Sequence, residues 1–172
     1  MMRIETTRSI GRVWKLGADI DTDALAPGRW MKLALPELAG HCLEDVRPEF
    51  AREVRAGDVI AAGPNFGVGS SREQAAEALK HLGIAAVLAP SFAGIFFRNA
   101  INLGLPALVC ARAGELADGE RIALDLRQGV VTRADGSTLA CEPLPPFLWD
   151  IVAAGGLLQS LKRRFGSKGA GA

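Results

Sequence analysis

The sequence is poor in the residue types that build metal centres and disulfide frameworks. It has three cysteines and two histidines in 172 residues. Cys42, Cys110 and Cys141 are odd in number, widely spaced and without a C-x-x-C pair. That argues against a disulfide framework and against a metal or iron–sulfur site built by this chain alone; the expectation is reduced thiols in a cytoplasmic protein. His41 and His81 read as surface or helix residues rather than ligands or bases. Charge of one sign is not in excess either, since 20 Lys and Arg stand against 19 Asp and Glu. With no basic face and no aromatic interleaving, nucleic-acid binding has no support. The longest uncharged run, Leu82 to Phe97, is broken by Pro90, Ser91 and Gly94. It falls short of the ~20 residues a membrane helix needs. The N-terminus carries Arg3 and Glu5 and no apolar signal core, so neither membrane insertion nor export is expected.

What is present suits one globular domain over residues 1–172, with 49% hydrophobic and 23% charged residues. There is no internal repeat, and only the Gly/Ala/Ser/Lys tail from Gly166 to Ala172 is of low complexity and expected to fray. Val13 to Leu16 reads as a short strand, followed by a loop from Gly17 to Arg29. Pro36 to Leu43 and Pro48 to Val54 read as short helices. Val59 to Gly63 is a strand, and Ser71 to Leu82 a helix ended by Gly83. Ala85 to Ala89 is a strand buried on both faces, Phe92 to Asn102 a second helix closed by Gly104, and Leu105 to Cys110 a further strand. This β–α–β–α–β series implies parallel strands with right-handed crossovers. Beyond Gly114 the pattern alternates: Arg121 to Leu126, Val130 to Thr132, an Asp135-Gly136 hairpin turn, and Ser137 to Ala140. Phe147 to Phe165 is helical with an interruption at Gly155-Gly156. The class is mixed α/β, a small parallel layer plus antiparallel ribbons.

Gly67-Val68-Gly69-Ser70-Ser71-Arg72-Glu73 stands out, because a glycine turn there delivers two hydroxyls and a guanidinium to a helix start. Two readings are open. Ser70-x-x-Glu73 is the pattern of a capping box, in which Ser70 accepts from the Glu73 N–H and the glycines merely permit the turn. With Ser70 as cap, however, Arg72 would lie in the first helical turn, where a cation opposes the macrodipole by ~0.3–1 kcal/mol. An anion held among Arg72, the two hydroxyls and the free N–H groups would relieve that conflict. Ser70, eased toward the alkoxide in such a setting, could act as a base without a histidine.

Other motifs fail. The G-x-G-x-x-G pattern ends in Arg72, and a phosphate loop would need lysine where Gly69 stands. Asp19, Asp21 and Asp23 have the spacing of a calcium loop, but Ala24 and Trp30 occupy the places that require glycine and glutamate. The aspartates read instead as turn formers and charge partners.

The chain resembles the small subunit of 3-isopropylmalate dehydratase, the swivelling β/β/α domain of the aconitase superfamily. The resemblance is carried by Gly11-Arg12-Val13-Trp14, Asp19 to Asp23, His41 to Asp45, Arg47 to Ala51, Gly57 to Ile60 and Asn65 to Glu73. Ser91-Phe92, Phe97 to Asn102 and Gly104-Leu105-Pro106 complete it, so it spans about residues 10–110; beyond that only the outline matches. It implies dehydration and rehydration of a 2-hydroxy dicarboxylic acid, with Ser70 as the base and Arg72 and Ser71 as substrate ligands. It also implies a [4Fe–4S] cluster carried by a partner large subunit, without which this chain would be inactive. Arg29 to Leu33 falls on the family's substrate-recognition loop. There Trp30, Met31 and Leu33 would suit an alkyl branch, while Lys32 or Arg29 could meet a second carboxylate; packing of this loop on the partner is the competing reading. Val68, Gln74 and Gly94 depart from the family pattern, which leaves homoaconitate, citrate, dimethylmalate or maleate-type acids open beside 3-isopropylmalate. A non-catalytic anion-binding module is the alternative from another class.

Overall fold

The computed structural model describes residues 8–166. Seven strands form one sheet in the order β4-β3-β2-β1-β5-β6-β7. They are β1 (Arg8–Lys15), β2 (Val59–Ala61), β3 (Ala86–Ala89), β4 (Ala107–Val109), β5 (Arg121–Asp125), β6 (Val130–Arg133) and β7 (Thr138–Ala140). β1 joins the two halves. Its residues 13–15 pair in parallel with β2, while residues 8–12 pair antiparallel with β5. The parallel layer and the antiparallel ribbons expected from sequence are thus continuous through one strand. β1 also begins five residues before the Val13 start read from sequence. Residues 8–12 carry no apolar alternation and are extended by pairing with β5.

The helices are α1 (Thr22–Leu25), α2 (Leu35–Ala39), α3 (Phe50–Glu53), α4 (Glu73–His81), α5 (Gly94–Asn102), α6 (Pro146–Ala153) and α7 (Leu157–Gly166). α4 links β2 to β3 and α5 links β3 to β4, as the apolar runs between glycine stops indicate. Gly83 and Gly104 close these helices at φ +86° and +78°, the left-handed region where glycine carries no Cβ penalty. α1 and a single 3₁₀ turn at Gly28–Trp30 lie where the sequence reads as loop. Of the tail expected to fray, Gly166 closes α7 and residues 167–172 lie outside the described residues.

Two apolar clusters flank the sheet. On one face Trp14, Ile60 and Val87 pack with Leu25, Leu38, Leu79 and Phe96 from the helices. On the other, Val59, Leu88 and Leu108 of the parallel half meet Ile122, Leu124, Val131 and Leu139 of the antiparallel half. Strands at opposite ends of the sheet share that second cluster, so the sheet curls over itself. The curl is pinned where Glu142 N–H donates to Val109 O at 2.7 Å, joining the end of β4 to the chain after β7. Among the described residues, no helix is long and apolar enough to cross a membrane.

Asp58 anchors the end of the sheet away from the serine turn. It is buried and accepts from Trp14 Nε1 at 2.9 Å, from Arg55 N–H at 3.0 Å and from Arg12 N–H at 3.2 Å. Asp58→Ala leaves these donors, the buried Trp14 Nε1 above all, without their acceptor. The expected loss is about 2–4 kcal/mol of folding stability, measured by denaturant unfolding; a loss within experimental error would show that the carboxylate is dispensable.

Candidate active site

The carboxyl ends of parallel strands are where α/β sheets receive ligands, because the loops leaving them diverge there. Here the chain leaving β1 and the chain leaving β2 run together. Asp19 N–H donates to Pro64 O at 2.9 Å, Gly67 N–H to Ile20 O at 2.7 Å and Thr22 N–H to Val68 O at 2.9 Å. Gly67 makes this possible, since its φ is +81° and a Cβ would sit 2.2 Å from Phe96 Cγ. The paired segments bring Thr22 beside Ser70, with their hydroxyl oxygens 3.1 Å apart. Thr22 is buried, whereas Ser70 and Ser71 are exposed.

The capping box is not formed. α4 starts at Glu73 rather than at Ser71, and Arg72, extended at φ −62° and ψ 111°, takes the cap position without a side-chain cap bond. The pairing of residues 20–22 with 67–68 holds the turn extended, and the Ser70 hydroxyl meets Thr22 instead of the Glu73 N–H. Arg72 therefore precedes the first helical turn. Its Nη1 donates to Asp23 Oδ1 at 2.8 Å and to Ala26 O at 3.0 Å. A guanidinium has five N–H donors, and both of these contacts are made by Nη1. Nη2 lies beside Gly28, where a Cβ would stand 3.3 Å from it. The Asp23 side chain remains largely exposed. Arg72, and then the Gly28 N–H, hold the Asp23 carboxyl below its ordinary range. The other aspartates form turns: Asp21 caps α1 by accepting from Ala24 N–H, and Asp19 adopts φ +56°.

The loop from Arg29 to Leu33 adjoins this arrangement through Ala26 and Gly28. Arg29 is engaged elsewhere, donating to both Asp45 oxygens at 3.0–3.1 Å and to Glu44. The Trp30 ring stacks on His41 at 4.2 Å, and its Nε1 donates to Glu44 Oε1 at 2.7 Å. Met31 and Leu33 are half-buried against the helical cluster. Lys32 is exposed and has no ion pair among the described residues.

The exits of β1 and β2 thus bring together a hydroxyl pair and a guanidinium, with the Arg29 to Leu33 loop adjoining them. The aconitase C-terminal domain model matches residues 48–113. The small subunit 1 of 3-isopropylmalate dehydratase from Methanopyrus kandleri is 53% identical over 89% of this chain and 92% of its own length. The chain belongs to the 3-isopropylmalate dehydratase small-subunit family. Another relative, named methanogen homoaconitase small subunit, from Methanothermobacter thermautotrophicus, is 48% identical over 86% of this chain and 87% of its length. The crystal structure of 3-isopropylmalate dehydratase (LeuD) from Methanocaldococcus jannaschii superposes with a TM-score of 0.89 at 43% identity, covering 94% of this chain and 98% of that one.

Within this small-subunit fold, Ser70, Ser71 and Arg72 come together, and Lys32, Met31 and Leu33 lie on the adjoining loop. Asp23, read from sequence as a turn former or charge partner, is the charge partner of Arg72. Two residues that complete the arrangement had no assigned part in the sequence reading: Thr22 beside Ser70, for which the Asp19 to Asp23 run was the available signal, and Glu44 beside the loop. Glu44 accepts from His41, Trp30 and Arg29, which lowers its pKa from 4.5 to about 2. A carboxyl depressed on folding stabilises the folded state above its unfolded pKa and loses that contribution as pH falls through the folded value. Wild type should therefore exceed Glu44→Gln in stability above pH 4.5, and the gap should close toward pH 2 in urea unfolding followed across this range. A gap independent of pH would rule out an ionised Glu44.

Proposed function

We propose that this chain is the substrate-selecting small subunit of a cytoplasmic two-subunit hydro-lyase that dehydrates and rehydrates a 2-hydroxy dicarboxylic acid, with 3-isopropylmalate as the substrate. Family membership supports the reaction class. The observation that carries the assignment of roles is that the turn leaving β2 does not cap α4: the exposed Ser70 hydroxyl lies 3.1 Å from Thr22 Oγ1, and Arg72, two residues on, keeps guanidinium donors beyond those given to Asp23 and Ala26 O.

In this reading Arg72 grips one substrate carboxylate through the donors that Asp23 and Ala26 O leave available. Two parallel N–H···O bonds would fix both distance and plane, which a lysine ammonium does not do. Ser70, having lost its hydroxyl proton to water, acts as the alkoxide: its Oγ takes the proton from the carbon adjacent to the one that loses hydroxyl and becomes the neutral hydroxyl again. The Thr22 hydroxyl donates to Ser70 Oγ while it carries the negative charge, from a buried position where its own dipole is fixed. Ser71 adds a second hydroxyl on the rim. The Arg29 to Leu33 loop forms the wall facing the rest of the substrate: Met31 and Leu33 suit an alkyl branch and Lys32 a carboxylate, while Arg29 and Trp30, engaged by Asp45 and Glu44, shape the wall from behind.

The [4Fe–4S] cluster that the family implies does not fit this chain. Among the described residues, no group of three His, Cys, Asp or Glu could hold a metal ion. Cys42 is buried in the helical cluster, and Cys110 and Cys141 are buried in the other. Burial pushes the Cys42 thiol well up, away from the thiolate form that a cluster needs. We therefore place the cluster on a partner large subunit, which would also cover the exposed serines.

A second substrate reading, a homoaconitate-type triacid, is favoured by Lys32, an exposed cation on the recognition loop without an ion pair among the described residues.

Reconstitution with the large subunit tests the proposal. The isolated chain should be inactive, and the pair should turn over a hydroxy diacid. Ser70→Ala should lower kcat about 10²–10⁴-fold, the usual range for a lost proton acceptor, with folding stability changed by about 0.5 kcal/mol or less. Arg72→Lys should raise KM about tenfold or more, from one charge-assisted bond lost. Wild-type turnover by the Ser70→Ala pair would refute the assignment of the base.

A further inference from the structure

Glu44 is the only carboxylate in the described structure that binds two side chains of the Arg29 to Leu33 loop at once. Its Oε1 accepts from Arg29 Nη2 and, at 2.7 Å, from Trp30 Nε1. Its Oε2 contacts His41 Nδ1 at 2.6 Å. An ionised carboxylate only accepts, so Nδ1 carries the hydrogen. His41 in turn stacks on Trp30 with an interplanar angle of 17°. The four side chains close a ring of contacts beneath a loop whose own backbone bonds are few: Trp30 N–H to Pro27 O, Met31 N–H to Gly28 O and Leu33 N–H to Trp30 O.

The backbone that presents Glu44 is itself unusual. Leu43 is fully buried at φ +60°, a region that L residues other than Asn, Asp and Gly rarely enter. Its N–H donates to Ala24 O at 2.8 Å, and its carbonyl accepts from Arg47 N–H at 2.7 Å. Such strain persists only where surrounding contacts fix it, and it concentrates at functional positions. Here it aims the next residue at the recognition loop.

We propose that Glu44 is a positioning residue that sets substrate selectivity, by holding Arg29 and Trp30 back from the substrate and leaving Lys32 as the loop's one available cation. The inference rests on the reading of residues 29–33 as the substrate-facing wall. Asp45 shares the hold on Arg29 but touches neither Trp30 nor His41, so Glu44 is the member that couples the guanidinium to the indole. When the Glu44 charge is removed, Arg29 gains freedom and the site acquires a second cation. An acid with an additional carboxylate should then gain over one with an alkyl branch, through KM rather than kcat, because Ser70 and Arg72 are untouched.

The test has two readouts. Amide hydrogen exchange on the isolated subunit should show residues 28–33 exchanging about tenfold faster or more in Glu44→Gln than in wild type, with α4 unchanged; a tenfold change in exchange corresponds to about 1.4 kcal/mol of local protection. In the pair reconstituted with the large subunit, the ratio of kcat/KM for a hydroxy triacid to that for an alkyl-branched hydroxy diacid should rise at least about fivefold in Glu44→Gln, with kcat for the better substrate within about twofold. Glu44→Gln/Arg29→Met, which removes the released guanidinium, should return the ratio to the wild-type value. Unchanged loop exchange, an unchanged ratio, or a double variant that keeps the altered ratio would each overturn the proposal. A wild-type pair inert toward every acid offered would instead defeat the underlying reading, and the exchange data would show whether Glu44 still orders the loop.

Discussion

Backbone pairing between two loops is the constraint on which the site depends. The bonds from Gly67 N–H to Ile20 O and from Thr22 N–H to Val68 O tie the exit of β1 to the exit of β2. Without them Ser70 would belong to an isolated turn and could cap α4. With them the turn stays extended, the Ser70 hydroxyl meets Thr22, and Arg72 swings to Asp23 and Ala26. Gly67 is the sequence requirement behind this, because the Phe96 ring occupies the space that any side chain there would need. The packing of α5 on the sheet is thereby linked to the placement of the serine.

The charges around the opening are arranged in pairs of unequal firmness. Arg29 is held by two carboxylates and Arg72 by one, which is mostly exposed. Exposed ion pairs contribute little to stability. Asp23 can thus keep Arg72 oriented while leaving donors for an incoming carboxylate at small cost. The firmer hold on Arg29 suits a structural part in shaping the wall rather than direct contact. Both serines are exposed, and the antiparallel ribbons pair with residues 8–12 of β1, away from its exit toward Thr22.

Much of this was legible in the residues. The runs Val59 to Ala61, Ala86 to Ala89 and Ala107 to Val109 are apolar on both faces, and glycine stops set off the helices between them, so the parallel layer was recovered to within one or two residues at most ends. Ser70 and Arg72 were conspicuous because hydroxyls and a guanidinium follow a double-glycine turn. The misses have a common cause in tertiary contact. Helix α1 and the Gly28–Trp30 turn are too short to show a period. Residues 8–12 are extended by β5, not by their own pattern. Ser70 lost its cap geometry to a partner 48 positions away. Glu44 collects donors from two separate segments, an arrangement that leaves no spacing to read.

The central claim is that the Ser70 oxygen accepts a carbon-bound proton. The most direct measurement follows a substrate deuterated at that carbon in the reconstituted two-subunit enzyme. The account predicts that wild type removes the label during turnover, while a pair carrying Ser70→Ala still binds the acid and leaves the label in place over the same period. Loss of the label at the wild-type rate from the serine-free site would contradict it.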